Sequence, residues 1–284
     1  MPTTATLLMT CQDQKGLVQK ISDFIYRRNG NILHADQHID FGTGQFFSRV
    51  EWDLEAFGLA REKIGPEFSR LADSLGMQWE LRFSDERTRI AIFVSRLDHC
   101  LVDLLHRHAI GELHADVVAI IGNHQLLRPV AEQRGIPYHV FPITAGNKRA
   151  QEEKELQLLD SLKVDLIVLA RYMQILTQAF VSRYPNRIIN IHHSFLPAFA
   201  GARPYVQAHA RGVKLIGATS HYVTPVVDEG PIIEQDVVRI SHRDTVDDLG
   251  RKGRDLERVV LARAVRLHLE RRVLPYGNKT VVFD

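Results

Sequence analysis

Cysteine is scarce in this 284-residue chain: only Cys11 and Cys100 are present, too few for a disulfide framework or a cysteine-rich zinc site. Long apolar runs are missing too, none approaching the roughly 18 residues that a membrane-spanning helix needs. Net charge is nearly absent. Lys and Arg number 36 against 34 Asp and Glu, and the resulting +2 gives no argument for a nucleic-acid partner or an anionic membrane surface. The opening MPTTATLLMTCQDQKG has no basic start and no long apolar stretch, so no secretory signal is expected in it. The 14 histidines include no HExxH and no closely spaced Cys/His set, and His192 and His193 are expected to point opposite ways on a strand, so no metal is expected. No GxGxxG or Walker-type loop is visible, so no nucleotide cofactor is expected either. What remains is a reduced, cytoplasmic, globular protein. Its composition is 45% hydrophobic, and its length favours two domains.

The first 84 residues alternate short strand and helix patterns. TLLMT (6–10) reads as a strand, and CQDQKG follows as a polar turn containing Asp13 and Gly16. Leu17, Ile21, Phe24 and Ile25 then recur at helical spacing, with Gly30 expected as the stop. ILHADQHIDF and QFFSRVEWDL form a hairpin about Gly42-Thr43-Gly44. That GxG is not a phosphate loop, because no helix opens after it. A second amphipathic helix is expected over 57–75, through Phe57, Leu59, Ile64, Phe68, Leu71 and Leu75, and MQWELRF closes the set as a strand. The order is βαββαβ, a split βαβ unit. The polar SDERTR (84–89) marks the boundary, giving expected domains of 1–84 and 89–284.

Beyond it the pattern changes. RIAIFVS, VVAIIGN, LIVLAR and RIINIHH are near-continuous apolar runs, several of them separated by helical segments. Strands buried on both faces read this way, and alternation with helices implies an α/β fold with a mostly parallel sheet. GATSHYV and PIIEQDVV extend that sheet. The charge-rich helix from DTVDDLG to LERRV reads as packing rather than chemistry.

Ligands in open parallel sheets sit beyond the carboxyl ends of the strands. Asn190 and His192 lie two residues apart in IINIHH, so on a strand they share a side, and Asp228 follows GATSHYV by a short loop. An Asn amide suits a carbonyl oxygen that gains negative charge. A histidine can take a proton from a nucleophile or give one to a leaving nitrogen. A carboxylate beside it can orient the imidazole, favour its protonated form or hold a water. The three together suit attack on a carbonyl: acyl transfer or amide hydrolysis. Each alone is as readily a structural hydrogen-bonder or, for Asp228, the start of a turn. Ser194 lacks a G-x-S-x-G elbow and Cys100 lacks an activating partner, so a covalent mechanism is the weaker reading.

The N-terminal stretch resembles an ACT domain through its first strand, its DxxG turn from Asp13 to Gly16 and its Gly30-Asn31 entry to the second strand. That resemblance implies a ferredoxin-like fold, edge-to-edge pairing into a homo-oligomer, and an amino-acid site involving Asp13, Gly16 and Asn31; a domain that only assembles the oligomer is the alternative. NIHHSFLPAFAGARPY and GATSHYVTPVVDEGPII resemble the NIHxSxLPxFxG and GxTxHxVxxxxDxGxII signatures of the folate-dependent formyltransferase fold. The implication is a Rossmann-like domain acting on the formyl group of 10-formyltetrahydrofolate through Asn190, His192 and Asp228. It also implies a pterin pocket at Gln174, Ile175 and Leu176 in LARYMQILT, whose plainer reading is a strand-to-helix turn. His221 is expected just behind the catalytic groups, and His193 either screens the pocket or caps a turn.

Two departures narrow the family. FVSRLDHCLVDLL contains no glycine where enzymes that formylate glycinamide ribonucleotide carry a phosphate-cradling loop. The HHSFLPAF and GARPY segments, with HCL and DLL, resemble the formyltetrahydrofolate deformylases, which also carry an ACT-like domain. This resemblance implies hydrolysis to formate and tetrahydrofolate with no cofactor beyond the folate substrate, formate supply for purine biosynthesis, and a response to glycine or methionine. It leaves open whether Asp228 positions water or steadies the imidazolium. The alternatives are a formyltransferase to an amine, and a folate- or amino-acid-sensing regulator without turnover.

Overall fold

The computed structural model describes residues 3–198 and 204–283. Residues 199–203, part of the signature that begins at Asn190, lie outside the described residues. Two compact units divide the chain: 1–87 with 271–274 and 281–284, and 88–270 with 275–280.

The first unit contains β1 (Thr4–Gln12), α1 (Leu17–Tyr26), β2 (Asn31–Asp40), β3 (Gln45–Asp53), α2 (Arg61–Ser74) and β4 (Gln78–Phe83). Its strands pair antiparallel in the order β2-β3-β1-β4, the arrangement of an ACT-like βαββαβ sheet. Leu17, Ile21, Phe24 and Ile25 bury one face of α1, and Phe24 meets Phe68 of α2 edge-on at 5.2 Å. Two expected boundaries move. Helix α1 ends at Tyr26, and Asn29 rather than Gly30 takes the left-handed conformation (φ 59°); Gly30 is required because a Cβ there would lie 2.5 Å from Ile25 Cγ2. Helix α2 begins at Arg61, not at 57, because the chain first turns through Ala56 (φ 62°) and sets Phe57 against Trp52.

The second unit runs β5 (Thr88–Val94), α3 (His99–Ala109), β6 (Ala115–Gly122), α4 (Arg128–Glu132), β7 (Tyr138–Val140), α5 (Lys148–Ser161), β8 (Leu166–Ala170), α6 (Gln178–Val181), β9 (Ile188–His192), α7 (Pro204–Arg211), β10 (Leu215–Tyr222), β11 (Ile232–Arg239) and α8 (Val246–Leu269). A short C-terminal pair, β12 (Val273–Tyr276) and β13 (Lys279–Val282), follows. The seven-stranded sheet has the order β11-β10-β9-β8-β5-β6-β7. From β9 to β7 all neighbours are parallel, which explains the unbroken apolar runs: every residue of β8 is buried. The chain leaves β5 toward β6 and β7, then returns to its other side as β8. The order therefore reverses between β5 and β8, and a crevice opens at their carboxyl ends.

Strand β10 corrects the expected strand-end geometry. It runs antiparallel to β9, with Thr219 opposite His192 and Tyr222 opposite Ile189, so its carboxyl end lies beside the start of β9. Asp228 therefore reaches the far end of β9 only because the loop after β10 doubles back. Two residues permit this. Asp228 is itself left-handed (φ 59°), a conformation that aspartate tolerates better than most side chains, and Gly230 sits where the Tyr222 carbonyl leaves no space for a Cβ. Helix α8 starts in a capping box between Thr245 and Asp248 and turns Leu249, Gly253, Glu257, Val260 and Leu261 inward. A glutamate thus sits in the middle of its buried face.

Candidate functional site

A cavity of about 960 Å³ lies in the second unit at the switch point, near the upper limit for small-molecule sites. Leu97 from the β5–α3 loop, Arg171 to Leu176 after β8, Asn190, His192 and His193, and the loop from Val223 to Asp228 line it, with Tyr205, Arg254 and Glu257 opposite.

Asn190, His192 and Asp228 converge. His192 Nδ1 lies 3.2 Å from Asp228 Oδ1, while His192 Nε2 is buried and has no partner among the described residues. The His192 hydrogen bond outweighs burial and holds the Asp228 carboxyl below its usual value, so Asp228 accepts as a carboxylate from Nδ1–H. With Nδ1 committed to Asp228, Nε2 is the ring atom left to face a substrate, and in the neutral ring it carries the lone pair. His221 Nδ1 lies 3.0 Å from the Tyr222 carbonyl, which can only accept, so Nδ1 carries the proton. His221 Nε2 then accepts from Asn190 Nδ2 at 3.3 Å. Burial pushes the His221 pKa down, which keeps that ring neutral. Its 3.8 Å approach to Asp228 is accordingly not an ion pair in the neutral state. Asn190 is thereby oriented with one amide N–H committed and a second N–H free to serve an oxygen. Ser220 Oγ, donating to the Asn190 carbonyl at 3.0 Å, fixes the backbone behind it.

His192 and His193 do not point opposite ways. The strand ends at His192, so alternation stops there; the two rings lie 5.2 Å apart and both line the cavity. Burial, with Arg171 nearby, pushes His193 down to about 4, so it lines the pocket as a neutral ring, 5.8 Å from the ring of Tyr205. Gln174, Ile175 and Leu176 all line the cavity, Ile175 being exposed and Leu176 buried. The effector candidates lie in the other unit and are not gathered within one chain. Asp13 and Gly16 follow the end of β1, where Gln12 pairs with Gln45, whereas Asn31 pairs with Asp53 eight residues further along β3, roughly 26 Å away.

The sequence reading missed a cluster opposite the triad. Glu257 is fully buried; its Oε2 lies 2.7 Å from His99 Nε2 and 3.4 Å from Arg171 Nε, and its Oε1 accepts from the Tyr205 hydroxyl at 2.5 Å. Burial pushes its carboxyl up, but His99, Arg171 and Tyr205 together outweigh that and keep it low, as a carboxylate. His99, Cys100 and Glu257 bring a nitrogen, a sulfur and an oxygen within 4.8 Å of one another. Arg171 already balances the Glu257 charge, and burial pushes the Cys100 thiol well above its usual value, so neither a thiolate ligand nor a thiolate nucleophile is offered. The missed signal was Glu257 recurring at i, i+4 with Leu249 and Gly253 along the apolar face of α8, which sets an acid on the packing face and at the cavity.

Comparison with known proteins places these features in a family. The formyl transferase family model matches residues 88–265. A formyltetrahydrofolate deformylase of Synechocystis sp. is 60% identical over 280 residues, covering 99% of this chain and 98% of that protein. The crystal structure of a formyltetrahydrofolate deformylase from Pseudomonas syringae pv. tomato is 46% identical, with a TM-score of 0.98, over 100% of this chain and 95% of that one. A glycinamide ribonucleotide transformylase from Symbiobacterium toebii is similar over 72% of this chain and 98% of its own, at 33% identity and a TM-score of 0.67.

Proposed function

The chain belongs to the formyltetrahydrofolate deformylase family, and on that premise we propose how its residues divide the work. The reaction is the hydrolysis of 10-formyltetrahydrofolate to formate and tetrahydrofolate. Water supplies the new C–O bond and the C–N10 bond breaks. His192 Nε2 takes a proton from the attacking water and returns it to N10 as the amine leaves. Asp228, on Nδ1, orients the ring and stabilises the imidazolium, so its main role is toward His192 rather than toward water. The free N–H of Asn190 donates to the formyl oxygen as that oxygen becomes an oxyanion. The observation that carries this reading is the pairing of a committed Nδ1 with an unpartnered Nε2 on His192.

Two features support water over a phosphorylated amine as acceptor. The β5–α3 connection has no glycine, and the Glu257 carboxylate stands at the first turn of α3, against His99 and Cys100. A phosphate brought to that helix start would find no glycine cradle, and the nearby Arg171 and His99 are already committed to Glu257. The cavity wall at exposed Met173 and Ile175 and half-buried Gln174 supports a folate-binding role for the loop after β8. For the first unit, an outer strand β2 whose residues 34–38 are exposed supports pairing between copies through that edge, while glycine or methionine as the effector rests on the family resemblance alone. No helix among the described residues is long and apolar enough to cross a membrane, in keeping with a cytoplasmic enzyme that supplies formate for purine synthesis.

The test is formate release from 10-formyltetrahydrofolate with no amine present, for the wild type and Asp228→Asn. Asparagine also tolerates a left-handed backbone, so the substitution removes charge without straining the turn. Steady formate release that falls by about 100-fold or more in the variant is expected. Equal rates would remove Asp228 from the mechanism. Formyl transfer only on adding an amine would replace hydrolysis by transfer.

A further inference from the structure

Helix α5 carries two buried glutamates that the reaction does not use. Glu152 is 3% exposed and Glu155 is fully buried. With Lys148 they follow i, i+4, i+7 spacing and so share one face of the helix, and that face meets the segment between β8 and α6. Lys148 Nζ donates to the Ile175 carbonyl. Glu152 Oε1 accepts from Thr177 N at 3.0 Å, and its Oε2 accepts from the Thr177 hydroxyl. The Tyr172 hydroxyl donates to Glu155 Oε1 at 3.4 Å. From the other side, Ser95 Oγ accepts from Met173 N at 2.9 Å.

Residues 171–176 contain no helix or strand, so these anchors define the shape of that wall. The surroundings are apolar: Leu159, Phe93, Phe180 and Tyr184 pack in the same core. Apolar residues of similar size would stabilise such a place at least as well as buried acids. The acids meet the donors of one cavity-lining loop instead. We propose that Glu152 and Glu155 are positioning residues for the folate substrate, holding the wall from Tyr172 to Thr177 in its binding shape. The inference rests on the reading of Gln174 to Leu176 as that substrate's wall.

Glu155 acts as a neutral acid. Burial first, and Glu152 second, push its carboxyl up to about 8, against smaller opposing effects of Tyr172 and Lys148. Those are the titratable groups facing it: Glu152 and Lys148 from its own helix, and Tyr172 from the loop after β8. Its Oε2 has no partner among the described residues. Losing the proton sets a second anion beside Glu152, and their repulsion strains the Glu152 anchor on Thr177 and with it the wall.

Formate-release kinetics between pH 6 and 9.5 test this in the wild type, Glu152→Gln, Glu155→Gln and Ile175→Ala. In the wild type KM should rise severalfold between pH 7 and 9, and Glu155→Gln should flatten that rise. Glu152→Gln should raise KM by about tenfold at pH 7, as expected for loss of a charge-assisted bond, with kcat falling less. Ile175→Ala should raise KM at every pH. A pH-independent wild-type KM, which needs no variant to measure, would overturn the role of Glu155. An unmoved KM in Glu152→Gln, with Ile175→Ala raising it, would overturn positioning while leaving the wall in place. An unmoved KM in Ile175→Ala would refute the wall itself, and the positioning with it.

Discussion

Glu155→Gln should make the second unit more stable at neutral pH, although it alters a fully buried polar group. The carboxyl rises from 4.5 in the unfolded chain to about 8 in the folded one, through burial and then Glu152. A raised pKa gives a stabilising contribution that is complete below pH 4.5 and lost as pH rises through 8. At pH 7 folding must therefore put a proton on this acid. Neutral pH lies about 2.5 pH units above the unfolded value, and at 1.36 kcal/mol for each this uptake costs about 3 kcal/mol. Glutamine is neutral at every pH and nearly the same shape, so it escapes that cost. Its carbonyl can accept from the Tyr172 hydroxyl, but its NH2 group then fills an otherwise unpartnered buried position, a penalty on the order of 1–2 kcal/mol. The variant should gain about 1–2 kcal/mol at pH 7, lose the advantage near pH 5–6, and be the less stable protein at pH 4.5. Urea unfolding of both proteins at several pH values between 4.5 and 8.5 reads this as a midpoint difference that changes sign. A midpoint difference independent of pH would refute a protonated Glu155, and with it the argument for a neutral acid behind the loop.

Two further expectations concern the cavity. Asn190→Ala should lower kcat by about 100- to 1,000-fold, the usual consequence of losing one oxyanion donor, and near-normal turnover would end that assignment. Gly253→Ala would place a methyl group on the Tyr205 ring, which occupies the space beside the glycine, and would drive its hydroxyl off Glu257. Helix propensity should return up to about 1 kcal/mol, but stripping a donor from a buried carboxylate should cost about 1.5–3 kcal/mol. A lowered melting temperature is therefore expected, and a variant at least as stable as the wild type would limit the Tyr205–Glu257 bond to no more than the roughly 1 kcal/mol that helix propensity returns.

The sequence was most readable where one residue pattern had one physical meaning. Short continuous apolar runs alternating with helical segments read as strands buried on both faces, and two polar residues spaced i, i+2 at such a strand's end share a side; Asn190 and His192 do so. The direction of β10 was not readable, because an apolar run looks alike in either orientation. The delivery of Asp228 then depended on a left-handed aspartate and a glycine under a carbonyl, both features of the folded backbone. Buried acids were harder still. Glu152 and Glu155 stand in KRAQEEKELQLLDS among solvated charges, and only the position of the loop after β8 distinguishes them from Glu153. The pairing of His193 with His192 was misjudged because alternation was carried one residue past the end of the strand.

The division of the chain at its C-terminus bears on any attempt to take the protein apart. Residues 271–274 and 281–284 group with the first unit, and the Arg271 carbonyl accepts from Arg49 Nε of β3 at 3.0 Å. In connectivity, the formyl-handling unit is an insertion within its neighbour, tethered at both ends. A fragment cut once after residue 87 would carry the βαββαβ sheet but lack its C-terminal returning segments, including buried Phe283. Effector binding should therefore be sought on the intact chain, or on a permuted one that splices residue 271 onward to the N-terminal unit. The excised sheet alone is an incomplete piece.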